Sequence, residues 1–389
     1  MLLQAEKNLR LLNILAFINN FRTYEGVLVV FFVAITESYT VAMAMFAIMH
    51  ITSSIMEVPT GILSDQIGRR KTIILYIFSN LLAILLFYLA NSTAYLVFGT
   101  ILIGISISLS SGTISAFVYE NLETLGKTDL YKKFEGKRKA QSMYALTIAG
   151  LIGALVIYLY DIRTALLITL VLTFAALVLS FFLADLKKFK PNKANIYHDL
   201  STALKEFKNN ASLRDLSLGR IFARGLGNAE YRFRSLFFSS IMPDWLVNLL
   251  ITFGNLATGL VMHINHFIVE KIGAKRSLVH LNILEKVLVS VLAFIYTPVS
   301  AFLITLVTST NYGVRDIASE DLLQARYTKE QRATMGSLVG LGGSVVYVIT
   351  ALLTGLIADQ IGLLGTIIIL QLAFFIAIYF FWRGVESKV

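Results

Sequence analysis

The sequence predicts an all-α polytopic membrane protein, with twelve transmembrane helices in two pseudo-symmetric six-helix bundles. Three observations predict it. Of 389 residues, 56% are hydrophobic and only 15% charged, against about 25% charged in a soluble domain. Apolar runs of roughly 20 residues recur from end to end, each enough for a hydrocarbon core ~30 Å thick. The cations are sorted to one side of those runs, as membrane topology requires.

The runs place spans at about 11–35, 40–63, 72–90, 94–121, 140–160, 163–184, 214–240, 245–268, 277–297, 299–323, 333–358 and 363–382. The first is long and is interrupted by Arg22 and Glu25. It lacks the short apolar core and small-residue site of a cleavable signal. An even number of spans puts both termini on one side. Of 34 Lys and Arg, 26 fall at the ends and loops of that side, only Arg163 falls in the opposite loops, and seven lie within spans. This asymmetry predicts a multi-pass protein of the plasma membrane with cytoplasmic termini. The expected division is an N-terminal bundle at 1–186, a cytoplasmic linker at 187–212 and a C-terminal bundle at 213–389. The net charge of +10 then reports topology, and nucleic acid is not an expected partner. The bilayer and a small-molecule substrate are, and a monomer is expected. With no cysteine, disulfides and thiolate metal sites are excluded.

The halves repeat. Gly68-Arg-Arg-Lys71 returns as Gly273-Ala-Lys-Arg276, and Asp65 returns as Glu270, both 205 residues on. Gly112–Glu120 aligns with Gly313–Asp321, and Lys139-Ala140 with Arg332-Ala333. Such repeats build two bundles around a midplane site in many transporters.

The stretch Gly61-Ile-Leu-Ser-Asp65-Gln-Ile-Gly68-Arg69-Arg70-Lys71 lies between the second and third spans. Gly61 and Gly68 are expected to allow close packing and a tight reversal. The spacing resembles the signature loop between helices 2 and 3 of the major facilitator superfamily of secondary transporters. That resemblance covers essentially the whole chain and implies the major facilitator fold. It also implies a cytoplasmic gate latched by ion pairs, here Asp65, Arg69, Arg70, Arg138, Glu120, Glu270 and Asp321. Glu57-Val-Pro59-Thr-Gly61 is similar to the acid and proline of bacterial efflux-type members, and Pro59 is expected to bend its span. Two departures set the chain apart. Thr100 stands where many proton-coupled members carry arginine, and Gly150-Leu-Ile-Gly153 lacks the proline usual in drug–proton antiporters.

Polar residues concentrate on every third span. The first holds Asn13, Asn19, Asn20, Arg22, Tyr24 and Glu25, and the fourth a run of serines. The seventh holds Arg220, Arg224, Asn228, Glu230, Arg232 and Arg234, and the tenth Asn311, Arg315 and Asp316. A charge at the bilayer centre costs at least ~2.5–3.5 kcal/mol, so these residues face the bundle interior or a wet cavity. Spans 1, 4, 7 and 10 are therefore expected to line the passage, as the resemblance also implies. The ninth span breaks the rule with Glu285-Lys286, adjacent residues that point to different faces of a helix.

The substrate-binding and proton-coupling candidates are thus Asn20, Arg22, Tyr24, Glu25, Arg224, Asn228, Glu230, Arg232, Asn311, Arg315 and Asp316. Arg22 and Glu25 are expected at i,i+3 on one helix face, either as a self-neutralising pair or as a proton or substrate site. Surplus arginine favours an anionic or zwitterionic solute, because guanidinium binds carboxylate or phosphate bidentately. His263 and His266 are considered as metal ligands and not favoured, so no metal site is expected. There is no phosphate loop, nucleophile elbow or metal-helix signature, so the chain is not read as an enzyme. No cofactor is expected, and a proton gradient is the energy source. The favoured function is proton-coupled efflux of a small amphipathic or anionic solute, a drug or metabolite, by alternating access. An importer or uniporter of a sugar, peptide or organic anion, a lipid flippase and a transport-dead sensor stand as alternatives.

Overall fold

The computed structural model describes residues 1–186, 207, 210–327 and 332–386, leaving aside the side chains of 265–266 and 332–334. The expected linker lies outside the described residues except at 207 and 210–212, as do the side chains of His266 and Arg332. The chain forms two compact units. Unit 1 takes in Met1–Glu37, the described residues of Met45–Asn192, and Asp244–Leu249. Unit 2 takes in Ser38–Ala44, Leu250–Val389 and the described part of Lys193–Pro243.

In unit 1 the first expected span is not one helix. It is α1 (Leu2–Asn19) and α2 (Leu28–Thr36), joined through a turn and the 3-10 segment Glu25–Val27. Beyond it run most of α3 (Tyr39–Ile67), α4 (Arg69–Leu89), α5 (Thr93–Ser110), α6 (Thr113–Thr124), α7 (Tyr131–Leu159) and α8 (Ile162–Ser180). The fourth expected span is α5 plus α6, interrupted at Ser111-Gly112, where Gly112 has φ 72°. Helix α3 runs on through the exposed Pro59. Asp161 starts α8 by accepting the Thr164 N–H at 2.7 Å, an N-cap bond that satisfies one orphan donor. Leu9, Leu12, Ile73, Ile77 and Phe117 form the core shared by α1, α4 and α6. Close approach depends on small residues, as in membrane bundles generally. A Cβ on Gly99 would meet the Phe87 ring at 2.4 Å.

Unit 2 holds α9 (Ala211–Ser239), most of α10 (Asp244–Ile272), a π turn at Arg276–His280 leading into α11 (Leu281–Ile295), α12 (Pro298–Arg326), α13 (Arg332–Ala373) and α14 (Phe375–Glu386). Helix α13 contains two expected spans, because Gly362 at φ 78° and ψ 177° breaks it. Thr297 and Ser300 cap α12 reciprocally with Pro298 in the first turn, the arrangement a capping box predicts. Helix α9 packs tightly on α13: a Cβ on Gly225 would meet Val346 at 2.5 Å, and one on Gly342 would meet Ile221 at 2.8 Å.

The twelve expected spans all have counterparts in this helix order. Among the described residues, eight stretches are long and apolar enough to cross a bilayer, the last of them Met335–Glu386 with its break at Gly362. Helices α9 and α12 are not among them: charges interrupt α9, and Ser, Thr and Asn residues together with Arg315 dilute the apolar run of α12. The repeat is visible in the backbone: Gly68 has φ 95° and ψ 153°, and Gly273 has φ 87° and ψ 152°. Only glycine adopts this geometry cheaply, so the loop turns after the second and eighth spans are the same turn.

Candidate functional site

The break in the first span changes the reading of Arg22 and Glu25. They do not share a helix face, because α1 ends at Asn19. Arg22 and Glu25 still pair at 3.5 Å, with side chains 36% and 15% exposed. Non-helical backbone at membrane depth must find partners inside the protein. Here the Thr23 N–H donates to Thr169 Oγ1 at 3.2 Å, and its hydroxyl donates to the Ala165 carbonyl at 2.5 Å. Asn248 accepts the Gly26 N–H at 3.0 Å and donates to the carbonyls of Thr23 and Gly150 at 3.3 and 3.0 Å. Asn20 donates to the Ala16 carbonyl and to Ser142 Oγ, and Tyr24 is buried. The cavity near the break, beside Asn19, Asn20, Tyr76 and Arg138, measures only about 40 Å³.

Unit 2 carries the larger ionic cluster. Lys286 Nζ donates to Glu230 Oε2 and to Glu285 Oε1, each at 2.9 Å. All three side chains are at most 6% exposed. The other Glu285 oxygen accepts from Asn311 Nδ2 and lies 3.6 Å from Arg315 Nη1. Asn282 Oδ1 receives Asn311 at 3.0 Å and Arg315 at 3.1 Å. The rings of Phe374 lie 4.0 Å from Lys286 Nζ and 4.7 Å from the Arg315 guanidinium carbon, which suits weakly hydrated cations. Arg234 donates to Thr308 Oγ1, stands over the Tyr231 ring and has a buried Nε with no hydrogen-bond partner.

One side of this cluster lines a cavity of about 220 Å³. Asn228, Glu230, Tyr231 and Arg234 of α9 line it, with Asn255 and Thr258 of α10, Glu285 of α11, and Thr308, Tyr312 and Arg315 of α12. The expectation that Glu285 and Lys286 diverge holds in part: Glu285 lines the cavity and Lys286 does not. Adjacent helical residues are about 100° apart, but the Lys286 stem is long enough for its ammonium to reach back to Glu285 and Glu230. The every-third-helix rule is corrected as well, since α10 and α11 supply cavity residues alongside α9 and α12. A charged pair in an apolar span always needs partners, and that signal was present at Glu285-Lys286.

Other expected site residues lie apart from this cavity. Arg224 is exposed, its stem against Gly343, and among the described residues it makes no hydrogen bond or ion pair. Asp316 pairs with Arg220 at 3.2 Å, and Arg220 also holds Glu320 at 2.9 Å. Arg232 stands 5.7 Å from the Tyr231 ring centre.

The gate residues divide. Arg69 pairs with Asp65 at 2.9 Å and with Glu120 at 3.4 Å, and it donates to Ser64 Oγ at 2.7 Å. Arg70 donates instead to the Phe181 carbonyl, and its N–H goes to Asp185 Oδ1 at 2.9 Å. Arg138 pairs with Glu135 one turn away at 2.7 Å. Lys275 pairs with Glu386, and Asp321 is exposed with no ion pair among the described residues. The expected partnerships of Arg70 and Arg138 are thus replaced by nearer carboxylates and a carbonyl, and that of Asp321 is not seen among the described residues. Glu57, Glu270 and His263 are exposed. Gly61 is also exposed, and a Cβ there would meet nothing within 4 Å, so it serves no close packing.

A multi-pass helical bundle with buried, mutually paired charges around a polar cavity defines the class of membrane transporters. The sequence matches the family model of the Major Facilitator Superfamily over residues 12–270, and the chain belongs to that superfamily. Among solved structures it is similar to the nucleoside transporter NupG, with 14% identity and a TM-score of 0.79 over 97% of this chain and 100% of that one. It is similar to a bacterial homologue of the human lysosomal transporter Spinster, with 12% identity and a TM-score of 0.78 over 98% and 97%. The POT family transporter PepTSo follows at 11% identity and a TM-score of 0.74 over 98% of each chain. At these identities the likeness is one of fold. No curated protein matches the sequence.

Proposed function

We propose that this chain is a secondary active transporter for a small polar anion, bound in the cavity of unit 2. The charge count of the buried cluster beside that cavity carries the reading. Glu230, Glu285, Arg234 and Arg315 line the cavity, and Lys286, behind its wall and bonded to both carboxylates, brings the cluster to three cations against two carboxylates. A buried charge without a counterion is strongly unfavourable, so a ligand with one negative group completes the site. The buried Arg234 Nε, still without a partner, suits a carboxylate or phosphate oxygen. The volume of about 220 Å³ lies below the roughly 300–1,000 Å³ of pockets for drug-sized molecules, which supports a metabolite over a multi-ring drug. On the sequence's charge asymmetry, both termini are placed in the cytoplasm of a plasma-membrane protein.

Flux into proteoliposomes tests this, with labelled organic anions, zwitterions and neutral sugars presented at equal concentration. Anions are expected to exchange across the membrane, and Arg315→Gln to lower their affinity at least tenfold. Transport of neutral sugars alone, unchanged in Arg315→Gln, would refute the reading.

An amphiphile carrier is the second reading, supported by a different cavity of about 270 Å³ lined by Phe222, Leu226, Leu353, Ile369 and Ile376. Scrambling of a fluorescent phospholipid in the same vesicles, insensitive to Arg315→Gln, is the result that favours it.

A further inference from the structure

We propose that unit 2 binds an anionic phospholipid in a groove between the start of α11 and α14, its phosphate at Lys275 and one acyl chain along the groove floor. This site shares no lining residue with the cavity of Glu230 and Arg315, and it stands whatever that cavity carries. The groove has a volume of about 410 Å³, and both walls are graded from polar to apolar. One wall runs from Lys275 through His280 to Ile283, and the other from Trp382 through Tyr379 to Phe375. The buried Val279 and Ile378 form the floor. Lys275 pairs with Glu386, the last residue of α14, so the polar ends of the two walls meet. At 1.5 Å per residue each gradient spans about 10–12 Å, enough to run from the headgroup layer into the hydrocarbon. Trp and Tyr are enriched at that boundary.

Charge at the mouth selects the headgroup. Arg276 is exposed and makes no ion pair among the described residues. Arg383 donates to the Tyr379 hydroxyl at 3.2 Å and stands 5.7 Å from its ring centre, which brings a further cation to the groove wall. Against Lys275, Arg276 and Arg383 stand Glu386 and the buried Asp215, and Asp215 also serves Arg214. A headgroup of net negative charge complements this excess, whereas a zwitterionic one adds a cation of its own. Basic pockets between spanning helices are where anionic headgroups bind. The Lys275–Glu386 pair is nearly half exposed on both sides; such pairs are weak, so a phosphate takes Lys275 from Glu386 at little cost. Arg276–His280 forms a π turn, a rare geometry found frequently at functional sites. Ile283 and Phe375 are exposed, and in a spanning segment they need an apolar cover, which the chain supplies.

The test titrates purified full-length protein with dioleoyl-phosphatidylglycerol and with dioleoyl-phosphatidylcholine, and follows bound lipid by native mass spectrometry. Glycerol 3-phosphate serves as the headgroup without chains. Phosphatidylglycerol is expected to be retained in preference to phosphatidylcholine. Lys275→Gln and Arg276→Gln are each expected to weaken its retention about fivefold, the worth of one cation near anionic headgroups. Glu386→Gln is expected to tighten retention, because Lys275 is then released to the phosphate; an ion pair with a structural role alone predicts no gain. Ile283→Trp fills the groove, leaves every charge in place, and is expected to weaken retention through the chain. Equal retention of the two lipids overturns the proposal. So does phosphatidylglycerol retention unchanged in Lys275→Gln and Ile283→Trp proteins that still melt cooperatively. Displacement of bound phosphatidylglycerol by an equal concentration of glycerol 3-phosphate assigns these cations to a soluble anion and overturns it too.

Discussion

The two units share a helical plan but differ in how they hold charge at membrane depth. Unit 1 has the pair of Arg22 and Glu25 at 3.5 Å, set in a break between helices and partly exposed. Unit 2 has a cluster tied across α9, α11 and α12, nearly sealed, with a cation in excess. The cavities differ correspondingly, about 40 Å³ against about 220 Å³. The repeat has preserved the turn geometry of Gly68 and Gly273, while the more deeply buried ionic cluster lies in unit 2. Internal symmetry in this chain is therefore a statement about backbone and not about sites.

The sharpest way to break this comparison is Lys286→Met. It leaves Glu230 and Glu285 buried without their shared cation, and removing one partner of a buried pair costs about 3–5 kcal/mol. A large drop in the melting temperature of the solubilised protein is expected, partly recovered in the double variant with Glu230→Gln. Melting unchanged by Lys286→Met would mean that the cluster is less sealed than its burial indicates.

A smaller effect addresses what the units have in common. Gly68→Ala and Gly273→Ala each place a side chain at positive φ with extended ψ, which costs roughly 1–3 kcal/mol. The Gly68 penalty is expected to be the larger, because its Cβ would also meet Asp185 Oδ2 at 2.9 Å while that of Gly273 meets nothing within 4 Å, whereas Gly61→Ala, inside a helix with open space around it, is expected to stabilise by up to about 1 kcal/mol. No penalty at Gly273 would end the claim that the two turns share a backbone geometry.

The smallest effect is expected at Arg22→Gln. A partly exposed pair is worth about 0–1 kcal/mol, so the melting temperature should barely move. A loss as large as that of Lys286→Met would place the working charges of unit 1 on a par with those of unit 2.

What could be read from the sequence follows from the physics of each feature. Span positions were legible because a bilayer demands long apolar runs, and the turn at Gly68 because its conformation demands glycine. The break at residues 20–27 was not, since Leu28–Thr36 is as apolar as any continuous helix. Its signal is tertiary: Thr169 and Asn248 supply what the backbone lacks. Lys286 was seen and misplaced, because helical spacing fixes where a side chain starts and not how far a lysine reaches. The partner of Arg138 was missed because a long cation settles on the nearest carboxylate, here Glu135 one helical turn away, ahead of a partner on another helix.

The interrupted first span also bears on how the protein is made. Helix α2 has nine residues, about 14 Å at 1.5 Å per residue, less than half the hydrocarbon thickness. Its approach is stabilised by Thr169 and Asn248, both synthesised long after it leaves the ribosome. The opening segment of this chain therefore reaches its final seat in the membrane only once residue 248 has been inserted. Ribosome-stalled chains ending before that point should leave it open to proteases or water-soluble labels.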